Sequence, residues 1–373
     1  MSKLDVICIG AINYDYMFQC CPEDLNVQES ADGDEQLSNP ISDVEADISE
    51  LADKGRAYTT QIGGSAFITL KVVKSIFENM KVAYVGVCGT PSEFDLCYGK
   101  SNDMEQELAH LDNKEWLFRT LDLEGDPYHK AVAKSIVRLY NHSRNCIKIA
   151  PCANNLLLGS IVEKEKTTGE SFTEYLACAK WIHISSLSDY SQFEAIMGYV
   201  IEAKKLNPEL KISMDPGFEY TSVRKDSLRK LISHVDYVFL NRSEKNNLGG
   251  NESDKDLLYR NIREYFTLED GKAISNLIVK YEDRHEILCF VNGGTDIRIL
   301  PHQKLDISEL NNDTGAGDSF AGGFIAGMLC EALNNDVKEP IRMGVLAARG
   351  RMISYDYEDP YVRIRELTEE FRR

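Results

Sequence analysis

The chain has 373 residues, 43% hydrophobic and 9% aromatic, enough apolar material for one large core or a core with a smaller appendage. Its formal net charge of -18 leaves no basic footprint for nucleic-acid phosphates or anionic lipid, so neither nucleic acid nor a membrane is expected as a partner. Any phosphate it handles must be held by local devices such as backbone amides, a helix N-terminus or a metal ion. The ten cysteines show no CxxC pair and no zinc spacing, and Cys8, Cys88, Cys146 and Cys289 sit in apolar runs, so they read as reduced core thiols. The opening MSKLDVICIG carries only a short apolar run, and no stretch approaches the roughly eighteen apolar residues of a membrane span. A cytoplasmic location is the expectation.

In chain order, a buried strand is expected from Val6 to Ile12, followed by an acidic insertion at about 23–55. Within it Ile41, Val44, Ile48 and Leu51 fall on one helical face, Ser42 and Glu45 have capping-box spacing, and Gly55 is a stop. A helix from Ser65 to Asn79 leads to a strand from Val82 to Val87, then to a second insertion at about 91–141. Further strands are expected at Trp181 to Ile184, Ile212 to Met214, Tyr237 to Leu240 and Leu277 to Val279, with helices from Tyr190 to Leu206 and Asp226 to Ser233 between them. Most of these strands are continuous apolar runs, as in parallel sheets buried on both faces, so the chain reads as a layered α/β domain.

The strongest local signal is Asn311-Asn312-Asp313-Thr314-Gly315-Ala316-Gly317-Asp318, which runs into the apolar helical stretch Ser319-Phe320-Ala321-Gly322-Gly323-Phe324. Three consecutive amides without bulky side chains, at the head of a helix, make a cradle for a transferring phosphoryl group. Asp318 at the opening of that helix is placed to take the proton of an attacking hydroxyl. The competing reading is an ordinary glycine-rich loop with Asp318 as a first-turn residue.

This segment resembles the C-terminal signature of the ribokinase-like (PfkB) carbohydrate and nucleoside kinases, Asp-Thr-x-Gly-Ala-Gly-Asp followed by a helix of small and aromatic residues. The resemblance implies Asp318 as catalytic base, Gly315, Ala316 and Gly317 as anion hole, and Thr314 beside the nucleotide. The family places an aspartate six residues before the base, where it shapes the loop and a nearby monovalent-cation site. Here Asn312 holds that place and Asp313 follows it, which leaves potassium in question.

Other segments resemble the family in the same order. Asn13 and Asp15, just past the first strand, match residues offered to substrate hydroxyls, and a carboxylate accepting from vicinal hydroxyls is a natural sugar clamp. Gly63 and Gly64 match a di-glycine switch, although Ile68 stands where the family often has a substrate-contacting Asn. Asn241 and Glu244 match an Asn-x-x-Glu motif that organises magnesium and its waters, so Glu244 is expected to act on the metal through water. Asp215-Pro216-Gly217 suits a turn at the carboxyl edge of an open sheet, or simply a Pro-Gly turn. Where the family has Thr-x-Gly-x-x-Gly feeding the adenine pocket, this chain reads Val279-Lys280-Tyr281-Glu282-Asp283-Arg284-His285, with both glycines absent.

The resulting expectation is a single ribokinase-like domain over 1–373, a three-layer α/β/α fold with a central mostly parallel sheet. A small β-rich lid would come from about 14–21, 57–62 and 146–158. The expected activity is transfer of the ATP γ-phosphoryl, with Mg2+, to a hydroxyl of a small metabolite, a sugar, with Asp318 as base. Two alternatives stay open: a nucleoside (adenosine-like) kinase, with Tyr14, Tyr16 or Phe18 stacking on a base, and a member that binds a metabolite or nucleotide without turnover. The family's lids also suggest a homodimer, which the acidic helix would either support or block.

Overall fold

Apolar runs without alternation become the central strands. The structure, a computed structural model, describes residues 3–25, 34–36, 39–99, 103–109, 111–120, 127–185, 187–249, 255–265, 267, 276–283, 286–291, 296–303, 305–334, 336–355 and 358–372. Parts of the acidic insertion (26–33 and 37–38), parts of the second insertion (100–102, 110 and 121–126), and Arg284 and His285 lie outside the described residues.

The strands are β1 (Leu4–Ile9), β2 (Asn13–Gln19), β3 (Asp34–Gln36), β4 (Tyr58–Gly63), β5 (Val82–Cys88), β6 (Leu117–Arg119), β7 (Ala133–Tyr140), β8 (Ser143–Ala150), β9 (Ala179–Ser185), β10 (Lys211–Asp215), β11 (Tyr237–Leu240), β12 (Asn276–Asp283), β13 (Glu286–Val291) and β14 (Asp296–Pro301). Among the described residues they form a nine-stranded sheet, ordered β14-β13-β12-β11-β10-β9-β1-β5-β6, and a five-stranded sheet, ordered β3-β8-β7-β2-β4. In the large sheet β6 through β12 pair in parallel, while the β12, β13 and β14 ladders are antiparallel. The fold is therefore the expected α/β architecture, a large mostly parallel sheet with helices on both sides and a second small sheet.

Strand β1 shows how both faces are filled. Leu4, Ile7 and Ile9 point into one core with the Tyr190–Leu206 helix, while Val6 and Cys8 point into another with the Ser65–Ile76 and Ala316–Leu329 helices. The cysteines are free thiols, with Cys8, Cys88, Cys146, Cys152 and Cys289 buried. Burial alone pushes the Cys8 thiol well above its ordinary range. No helix among the described residues is long and apolar enough to cross a membrane.

The small sheet differs from the expected lid in three respects. Its strand β7 lies inside the stretch assigned to the second insertion, because its charged members Lys134 and Arg138 are buried in ion pairs with Asp95 and Asp47 and so hide a strand inside a polar-looking sequence. After Ala150 the chain turns helical, with a 3-10 turn at Cys152–Leu156 and an α-helix at Leu157–Thr168, so the last part of the 146–158 segment is not strand. The acidic helix runs Ile41–Asp53 with Pro40 at its N-cap, two residues before the Ser42 cap that the Ser42–Glu45 spacing implied, and Ser42 donates to the neighbouring Asp43 carboxylate rather than capping. Val44, Ile48 and Leu51 are buried, and Asp47 reaches Arg138 at 3.0 Å and Lys148 at 2.8 Å, so this helix covers one face of the small sheet.

Candidate active site

Gly315 has φ of +80°, a left-handed backbone that turns the chain into the Ala316–Leu329 helix. Ahead of it the Asn312 side-chain oxygen accepts the Thr314 N–H at 2.9 Å, so the amide does the loop-shaping expected of an aspartate at this place. The Asp313 carboxylate accepts the Arg144 backbone N–H at 2.8 Å, which fastens the β7–β8 hairpin to the loop. Asn141 and His142 form that hairpin's tight turn with φ of 51° and 65°. The Ala316 N–H donates to the Asp313 carbonyl at 3.1 Å. The donors at the head of the helix that carry no partner among the described residues are thus the Gly315, Gly317 and Asp318 amides, overlapping the cradle read from Gly315 to Gly317.

These residues open on a cleft of about 1390 Å3. It is lined by Asp318, Gly315, Ala316, Gly317, Asn241 and Glu244, all anticipated from sequence, together with Ser65, Asp215, Lys280 and Arg144. Its lining also includes the apolar Leu300, Pro301, Ile341, Val345 and Leu346, interspersed with the charged Lys338, Arg342 and Arg349. Burial, and after it the neighbouring Asp215 charge, push the Asp318 carboxyl up to about 6, against the pull of Lys280, a hydrogen bond from Ser65 and the charge of Arg144. Asn241 caps the Arg242–Gly249 helix, its side-chain oxygen accepting the Glu244 N–H at 2.8 Å, while Glu244 accepts the Asn241 N–H at 2.8 Å.

Asn13, Asp15, Gly63, Gly64 and Thr314 do not line the cleft. Asn13 and Asp15 are buried against the small sheet, where Asp15 accepts from Ser135 at 2.5 Å, from Gln61 at 3.2 Å and from Asn13. Burial raises the Asp15 carboxyl despite these donors and the nearby Arg351 and Arg144 charges. Gly63 is dictated by this clamp, since a Cβ there would lie 1.8 Å from the Asp15 Oδ2. Arg351 joins the two halves: its Nε donates to the Thr314 carbonyl at 2.9 Å, and its Nη2 donates to the Gln61 side-chain oxygen. A chain of polar contacts therefore runs from the loop before Gly315 through Arg351 and Gln61 to Asp15.

Two further differences from expectation concern side-chain direction. Tyr14, Tyr16 and Phe18 alternate with Asp15 and Met17 along β2, so they point away from the clamp. Tyr16 packs on Phe94 and Tyr98, and Phe18 stacks on Tyr58. The clamp side of the sheet instead carries Met17, Val137, Leu139 and Ile147. Lys280, noted in the sequence only as a departure, is buried and pairs with Asp215 at 2.5 Å. Beneath this pair the buried His183 is depressed to about 4, chiefly by burial, and is a neutral core residue whose Nδ1 meets the Ser213 hydroxyl at 2.9 Å.

The residues that could hold a divalent ion are Glu244, through its carboxylate, and Asn241, both of which line the cleft. No cluster of three or more acidic, His or Cys ligands occurs among the described residues. That set fits magnesium carried mainly by phosphate oxygens and water, and does not fit a dedicated all-protein cage.

The profile of the pfkB family carbohydrate kinases matches residues 155–350, more than half of the chain. The chain belongs to the pfkB family of carbohydrate kinases. It is 27% identical over 177 residues to the cytidine kinase of Thermococcus kodakarensis, an alignment covering 47% of this chain and 56% of that protein, so it spans little more than half the curated relative it matches. The fold is similar to Schistosoma mansoni adenosine kinase in complex with 2-fluoroadenosine, with a TM-score of 0.73, 18% identity, and 97% and 99% of the two chains covered. It is similar to Giardia lamblia ribokinase at a TM-score of 0.69 and 14% identity, covering 99% and 98%.

Proposed function

We propose that this chain is an ATP-dependent kinase that phosphorylates a hydroxyl group of a small metabolite, with Asp318 as the base. The observation that carries this reading is Asp318 itself. It is a carboxyl raised to about 6, seated beside unpartnered helix-head amides, in a cleft that also carries apolar side chains and the cations Lys338, Arg342 and Arg349. A base with this affinity is ionised at neutral pH yet retains appetite for a hydroxyl proton. Magnesium, when bound, would supply charge neutralisation at the phosphates, and Glu244 with Asn241 would orient its waters. The Gly317 and Asp318 amides would face the transferring group, and the apolar side chains Leu300, Ile341 and Val345 of the same cleft would flank the nucleotide base.

The acceptor we read as a nucleoside in preference to a free sugar. Asp15, Asn13, Ser135 and Gln61 provide a polar clamp for vicinal hydroxyls, but the same face of the small sheet continues as Met17, Val137, Leu139 and Ile147, an apolar wall suited to a base and not to a polyol. The cytidine kinase relative agrees with this choice. Closure of the small sheet over the clamp would exclude water from the transfer. The experiment is ADP release from MgATP over a panel of nucleosides, free sugars and sugar phosphates. Turnover with a nucleoside supports the full reading, turnover with sugars alone moves the acceptor to that class, and no ADP release with any acceptor overturns it.

A further inference from the structure

We propose that Lys280 is a phosphate-binding cation built into the transfer site, and that Asp215 holds its ammonium in place until a polyphosphate arrives; this rests on the kinase reading. Lys280 follows the apolar run Leu277–Val279 in β12, and the residue is only 5% exposed. Strand β11 separates β12 from β10, so Lys280 and Asp215 meet across it at the carboxyl edge of the sheet, where both line the cleft. A Cβ placed on Gly317 would lie 3.1 Å from the Lys280 Nζ, so the ammonium sits against the anion-hole turn itself. Burial works against its charge, but Asp215, Glu244 and Asp318 outweigh that and keep it protonated.

A buried ion pair is a poor way to stabilise a fold, because well-packed apolar residues of the same volume do as well or better. Strand β12 is already anchored by Leu277, Ile278 and Val279 in the two cores, so the lysine is not needed to seat it. Its ammonium stands among the proposed base, the magnesium-associated acid and the cradle, the one region of a chain with net charge -18 that must accept several more negative charges. The geometry gives the ammonium two alternative partners, Asp215 or a phosphate oxygen. Asp215 thereby competes with the nucleotide's phosphates.

That competition makes the test specific. Binding of magnesium tripolyphosphate, a probe without a base, and of MgATP would be measured by calorimetry for wild type, Asp215→Asn, and Asp215→Asn with Lys280→Met, with near-ultraviolet dichroism as the check on folding. Asp215→Asn should tighten tripolyphosphate binding about threefold or more, since it frees the ammonium. Adding Lys280→Met should then weaken it by about tenfold or more relative to Asp215→Asn, the scale of a lost charge-assisted hydrogen bond. Equal affinity in the folded single and double variants overturns the proposal. Should the double variant not fold, Asp215→Asn decides alone, and unchanged or weaker binding overturns it. A wild type that releases ADP while these variants bind as it does refutes only the role of Lys280; a wild type that binds neither probe and releases no ADP refutes the kinase reading and this inference with it.

Discussion

Asp318 carries two opposing demands that one substitution separates. Its carboxyl titrates near 6 in the folded chain against 3.8 for an ordinary aspartate, so the native state favours the protonated form. The associated stability is fully present below about pH 4 and is lost as pH rises through 6; two pKa units, discounted for exposure to the cleft, correspond to about 2 kcal/mol. Asp318→Asn should therefore lower kcat by about a hundredfold or more while raising stability at pH 8 by about 2 kcal/mol, with the stability difference gone at pH 4. Denaturant melts at the two pH values and a wild-type rate profile with its acid limb near 6 check this. Equal stabilities at pH 8 would show the carboxyl to be unstrained. At this scale the sequence announces contiguous chemistry. Gly315, Gly317 and Asp318 are neighbours whose roles follow from backbone and helix physics, whereas Lys280 and Asp215 stand 65 positions apart and meet only through strand order. Arg351 and Gln61, 290 positions apart, were likewise unreadable until the chain folded.

The acidic helix Ile41–Asp53 shows what periodicity reveals about an element and what charge conceals. Its stripe of Val44, Ile48 and Leu51 was legible because a 3.6-residue repeat among acids has little other explanation, and those side chains are buried. Strand β7 was not legible, since Lys134 and Arg138 break its apolar pattern and pair with residues of the two insertions, including Glu45 at 3.4 Å from Lys134. The outer strand β14 and the Lys338–Ile353 helix also went unread, the former because it is half exposed. Because the helix backs the sheet whose other face carries Asp15, Ile48→Ser should cost about 3 kcal/mol, lower Tm by about five degrees and raise KM for the acceptor more than KM for ATP. Thermal unfolding with paired KM measurements tests this, and an unchanged acceptor KM would confine the helix to a stabilising role.

For the whole molecule, the alternation of strands and helices made the large sheet predictable, because each unit is a local pattern and the parallel order follows from crossover rules. Apart from the β7–β8 hairpin the small sheet is assembled from separated segments, and nothing local specifies where β2, β3 and β4 join it. Its outer face is already covered by the Ile41–Asp53 helix, which turns Asp43, Glu50 and Asp53 to solvent. Two copies meeting there would set these acids against each other within a chain of net charge -18. Sedimentation at moderate salt should find a monomer at micromolar concentration, and a dimer that persists as salt is lowered would contradict that.

The Arg351 bridge between the Thr314 carbonyl and Gln61 ties the proposed acceptor clamp and the proposed phosphoryl cradle into one heritable unit. A lineage cannot retune the clamp at Gln61 without disturbing the loop that carries the base, so changes of acceptor must arrive as paired substitutions or be preceded by a neutral loosening of the guanidinium. Directed evolution that randomises Gln61 alone should accordingly yield crippled variants, while libraries that vary positions 61 and 351 together should contain the new specificities.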